Sequence, residues 1–149
     1  MKKVILVIVI LVVLGFGGGG YWYFKVYQPR QAVKELVVIY RDFKINIQNA
    51  ATDQPDEALF KKESLLVVEN TRTKLNELKP TEQIVVARKD FIAFLDATKH
   101  FLTLFRSGPV NQTISDADKN KTRLGNDLDN EIQELIRTYP ELKSLIENL

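Results

Sequence analysis

The chain has 149 residues, 45% hydrophobic and 27% charged, with 21 Lys and Arg against 19 Asp and Glu, one histidine and no cysteine. That apolar content in one domain's length can bury a core, which excludes a disordered chain. The absence of cysteine excludes a disulfide scaffold and a lipidated amino-terminal cysteine, and the near-neutral balance lacks the Lys and Arg excess that a nucleic-acid partner requires.

From Val4 to Phe24 there are 21 residues without a charge. At about 1.5 Å per helical residue this matches the roughly 30 Å of a bilayer's hydrocarbon. Residues 1–27 are therefore expected to form a single-pass transmembrane signal-anchor, with Tyr21 to Phe24 as an interfacial aromatic belt and Lys25 just outside it. Gly15 and Gly19 have the spacing that lets two membrane helices pack closely, which makes a second copy of the chain a candidate partner. The alternative is a cleaved signal peptide and a secreted product. Cleavage after Gly20 would leave four large aromatic side chains uncovered, which favours the anchor. The short charged tail before the apolar run resembles the start of an export signal, so the amino terminus is placed inside the cell membrane and the remainder on its extracytoplasmic side.

Residues 28–149 read as helix throughout. Gln28-Pro29 marks a break between anchor and domain, with proline where a helix can begin. The first helix is predicted from Arg30 to Ala51, with Ala32, Val33, Leu36, Ile39, Tyr40, Phe43 and Ile47 on one face. Thr52 to Pro55 is a turn with a capping residue and a first-turn proline, and Asp56 and Glu57 suit a helix start. The second helix then runs to Lys79 behind Phe60, Ser64, Val67, Val68, Thr71, Leu75 and Leu78. After the short Lys79-Pro80-Thr81 link comes the third helix, Glu82 to Arg106, with Ile84, Phe91, Thr98 and Phe105 on one line. Ala87, Phe94, Leu95, Phe101 and Leu102 widen that stripe so far that the helix belongs at the centre of a bundle. Truncating Phe94 or Phe101 to alanine is expected to cost about 3–5 kcal/mol.

Ser107-Gly108-Pro109 ends the third helix. The fourth is capped by Ser115 with Asp118 three residues on, and carries Ala117, Leu124, Leu128, Ile132, Leu135, Ile136 and Tyr139 as a narrow stripe. Gly125 within it costs about 1 kcal/mol against alanine, which leaves a start near Asn126 as an alternative. Tyr139-Pro140 interrupts the helix, and Glu141 to Leu149 forms a short last one.

The expected fold class is all-α: an amino-terminal single transmembrane helix, then an antiparallel up-down-up-down four-helix bundle over residues 28–149 with a short carboxyl-terminal helix. Lys25–Arg106 carries 14 basic and 11 acidic residues, and Ser107–Leu149 carries 5 and 8, so a balance of +3 faces one of −3 and draws the last helix onto the others. In this topology Lys25, Arg30, Lys79, Arg137 and Lys143 share the membrane-proximal end and face lipid head groups or solvent. Leu142, Leu145, Ile146 and Leu149 either meet the membrane or a partner there, or close the end of the bundle. Val38 and Ile45 project opposite the first helix's core stripe, and Leu59 and Leu66 opposite the second's, at a spacing that suits a seam for another helix.

No motif supplies chemistry. Gly15 to Gly20 satisfies the GxGxxG string without the strand and helix that a dinucleotide site needs. Asp116, Asp118, Asn120 and Asp127 imitate a calcium loop, but Lys121 stands where glycine is required. His100 and Asp96, four residues apart on a polar helix face, are at most a weak metal pair, and one histidine without cysteine assembles neither a zinc nor a di-iron site. The expected function is accordingly a non-enzymatic interaction or scaffold module at the membrane, without a cofactor, contacting lipid and another protein but no nucleic acid. The alternative is a small apolar-ligand or lipid-binding bundle whose cavity lies beside Phe91, Phe94 and Phe101.

Overall fold

The computed structural model describes residues 23–52, 56–105 and 111–147, and every regular element among them is helical. Four α-helices of 25, 21, 20 and 27 residues, α1 Gln28–Thr52, α2 Glu57–Glu77, α3 Val85–Leu104 and α4 Gln112–Thr138, form a helical bundle. A six-residue 3₁₀ helix, Pro140–Leu145, follows. None of the helices among the described residues is long and apolar enough to cross a membrane; the predicted anchor, with Gly15 and Gly19, lies almost wholly outside the described residues.

The expected break at Gln28-Pro29 is absent. A π-helical turn, Tyr23–Tyr27, runs straight into α1. Proline has no N–H to give to the preceding turn, and a wide turn just before it accommodates the missing donor without ending the helix. Along α1 the buried residues Ala32, Val33, Leu36, Val37, Tyr40 and Phe43 follow the helical period. Ile39 and Ile47, expected on that face, are only partly buried and pack against its edge.

Asp56 caps α2, its carboxylate accepting from Ala58 N at 2.9 Å. The helix opens at Glu57, so Pro55 precedes it instead of occupying its first turn. Ser64, Val68, Thr71 and Leu75 are its buried positions, a stripe with few apolar side chains, as its sequence implied. α3 begins at Val85, later than Glu82, because Glu82 to Ile84 form a turn closed by Ile84 N on Thr81 O at 3.1 Å. Arg88 stitches that turn to α2, its Nε donating to Leu75 O at 2.7 Å.

Paired contacts fix the directions. Lys61 reaches Thr103 O, Glu69 meets Lys99, and Arg72 meets Asp96, so α2 and α3 run antiparallel. Grooves pair Asn46 and Asn49 with Glu63, and Gln31 and Glu35 with Glu77, so α1 and α2 do the same. Gly125 faces Phe94 and Lys121 lies over the Phe101 ring, which sets α4 antiparallel to α3.

Phe91, fully buried, is the centre of the core, with the rings of Tyr40 and Phe43 edge-on at 6.1 and 5.7 Å. α3 thus touches α1 through rings, α2 through its polar seam, and α4 through the most extensive helix pairing of the bundle. Phe94 and Phe101 are only partly buried, so the loss of about 3–5 kcal/mol expected of them belongs instead to Phe91→Ala.

α4 corrects two expectations. Its cap is Asn111, whose side chain accepts from Ile114 N at 3.0 Å, not Ser115. The helix is also continuous through Gly125, which excludes a start near Asn126. A Cβ at Gly125 would lie 3.1 Å from the Phe94 ring, so the glycine is there for a close approach.

Candidate interaction surface

The outward sides of α1 and α2 meet in a furrow. Its widest part, about 620 Å³, is lined by Ile39, Phe43 and Asn46 from α1 and by Leu66, Val67 and Asn70 from α2. A second hollow of about 390 Å³, holding Val38 and Leu78, shares Ile39, Asp42 and Lys74 with it. A third, of about 430 Å³, continues toward Tyr27 and Lys79. The antiparallel helices therefore carry one furrow along their seam, apolar at its floor and lined above with amides, hydroxyls and the charged side chains of Asp42, Glu63, Lys74 and Glu77.

Val38 is half-buried in the furrow, and Leu66, 55% exposed, lines its edge. Ile45 and Leu59 are exposed but do not line it. Asn46, Asn49 and Asn70 escaped the sequence reading, because isolated asparagines on two helices give no signal until the helices are placed side by side.

At the carboxyl terminus Leu142 is buried in the core, and Leu145 and Ile146 pack against it. These three close the bundle's end, while Leu149 lies outside the described residues. Lys25, Arg30, Lys79, Arg137 and Lys143 are all exposed. Arg137 is held by Glu134 at 2.6 Å and Lys143 by Glu147 at 3.6 Å, so neither is an isolated positive charge. Val85 and Val86, on the first turn of α3, are 51% and 53% exposed. Their place off the Ile84–Ala87 core stripe was readable in the sequence, though its significance was missed.

Two polar clusters tie the helices together. Tyr40 donates to Asp129 at 2.7 Å, and Lys44 approaches the same carboxylate at 3.3 Å. Burial, then that hydrogen bond, then the carboxylate's charge push the Tyr40 phenol well above its ordinary range. On the α2–α3 seam, the hydrogen bond from Lys99 and the Lys99 and Arg72 charges hold Glu69 below the usual carboxylate value. Asp96 is engaged by Arg72 and His100 is exposed beside it. Asp116, Asp118 and Asp127 lie within α4 and pair with Lys119, Lys121 and Arg123; a continuous helix carries these carboxylates apart instead of wrapping them around calcium. No group of three His, Cys, Asp or Glu at metal-binding separation occurs among the described residues.

The region expected for an apolar ligand lies beside Phe91, Phe94 and Phe101, and ring contacts occupy part of it. Phe43 meets Phe94 edge-on at 5.7 Å, in addition to Phe91, and Gly125 abuts the Phe94 ring from α4. No family model, curated protein or solved structure matches the chain.

Proposed function

We propose that this chain is a membrane-anchored, non-enzymatic interaction module. An amino-terminal single-pass anchor holds an up-down-up-down four-helix bundle on the extracytoplasmic side of the cell membrane, and the bundle offers the α1–α2 furrow to another protein. The observation that carries this reading is the furrow itself. It combines the half-buried Val38 and the exposed Leu66 with the exposed amides of Asn46 and Asn70, which is the mixture of apolar anchors and adaptable polar contacts that a helix-binding groove uses. A helical segment whose apolar residues recur at i, i+3, i+4 and i+7 is the partner chemistry it suits.

The test is crosslinking and copurification of the full chain from membranes, comparing wild type with Leu66→Asp and with Asn46→Ala combined with Asn70→Ala. Both variants alter groove residues that the core does not need, so circular dichroism should be unchanged. Loss of the copurifying protein in both supports the reading, and undiminished recovery in both removes it.

A further inference from the structure

α1 and α3 each run antiparallel to α2, so their first turns stand at the same end of the bundle. Tyr27, from the π-helical turn, and Lys79 and Thr81, from the α2–α3 connection, line one hollow at that end. Beside this connection in sequence, on the first turn of α3, stand Val85 and Val86. With Leu66 they are the most exposed of the large apolar residues described. Two adjacent β-branched residues lie about 100° apart around a helix axis, so Ile84 and Ala87 can bury into the core while this pair points away from it.

What lies next to that end is set by the chain itself. α1 continues back without a break to Tyr23, and the sequence immediately before and into that turn is the uncharged run of 21 residues from Val4 to Phe24. We infer that Val85 and Val86, together with the exposed Lys79, rest in the interfacial layer of the lipid bilayer, so that the bundle docks end-on to the membrane instead of swinging from a tether. Valine side chains suit the headgroup–acyl boundary and lysine the phosphate level above it. Arg137 and Lys143 at the same end are already paired with glutamates, whereas Lys25, Arg30 and Lys79 are exposed there, so the apolar contact of the valine pair is joined by basic side chains at the phosphate level. This inference rests on the anchor in the proposed function, but not on the furrow or its partner.

Absence of cysteine and the single tryptophan make the test direct. Full-length Val85→Cys, Val86→Cys and Leu59→Cys chains, each carrying one thiol-linked fluorophore, are reconstituted into phosphatidylcholine vesicles with and without brominated acyl chains. Leu59, near the start of α2, belongs to the opposite end of the bundle and serves as the comparator. Trp22 reports the anchor independently. The expected result is quenching of Trp22 in every chain, and quenching several-fold stronger at positions 85 and 86 than at 59. Quenching of Trp22 with positions 85 and 86 no more quenched than 59 overturns the docking while the anchor stands, and would assign the valine pair to a protein contact. An unquenched Trp22 overturns the anchor and this inference together.

Discussion

At Ser64 a single hydroxyl is fully buried on α2, with no hydrogen-bond partner among the described residues. The neighbouring buried threonines differ, since Thr71 and Thr98 donate to the carbonyls of Val67 and Phe94, each at 2.8 Å. An unmet buried hydroxyl works against the fold, and alanine is also the better helix former. Ser64→Ala is therefore expected to stabilise the bundle by about 1 kcal/mol, seen as a raised thermal midpoint; a lowered midpoint would show that the hydroxyl is satisfied. Tyr40 is the contrasting case, a polar group whose bond to Asp129 links α1 to α4. Its phenol is raised in the fold, so its contribution is complete below the unfolded value near pH 10 and is lost as pH climbs toward the folded one. Tyr40→Phe should cost about 1–2 kcal/mol at neutral pH and abolish part of the alkaline loss of stability. Equal alkaline profiles for the two proteins would refute the shift.

Helix identities and inward faces were legible because each is a repeat along one segment. Val33, Leu36 and Tyr40 on α1, and Phe91, Leu95 and Leu102 on α3, fall into the core by spacing alone. Ends and close approaches were less legible because they depend on cap geometry and on neighbouring helices. Ser115 with Asp118 resembles a capping box, yet the helix already runs from Gln112, so Ser115 lies within its first turn and Asn111 supplies the cap. Gly125 looked like a weak point only while the Phe94 ring that faces it was out of view. The outward apolar residues of α1 and α2 were visible from their spacing, whereas the furrow exists only once both helices are placed. Cap placement can be measured: Asn111→Ala should destabilise by about 0.5–2 kcal/mol, while Ser115→Ala should change the midpoint little. The reverse order would return the helix start to Ser115.

Across the molecule, opposite net charges on the two parts of the chain suggested that electrostatic attraction seats the last helix. The pairing pattern assigns that role elsewhere. Among the described residues, Asp116, Asp118, Asp127 and Glu134 are bound to basic residues of α4 itself, and only Asp129 of its ion-paired carboxylates crosses to another helix. What α4 places against the core is Ala117, Leu128, Ile132 and Ile136, all buried, and its pairing with α3 is the most extensive in the bundle. Removing a buried side chain such as Leu128 or Ile132 from water contributes about 1.5–3 kcal/mol, whereas an exposed ion pair contributes about 0–1 kcal/mol. Buried surface should therefore dominate, and screening should matter little. Sodium chloride at about 1 M reduces the screening length to about 3 Å. Thermal unfolding in that salt should accordingly leave the midpoint close to its low-salt value, with helix loss remaining one cooperative step. A large fall in midpoint, or early separate melting of α4 as salt rises, would mean that charge and not apolar burial holds this helix in place.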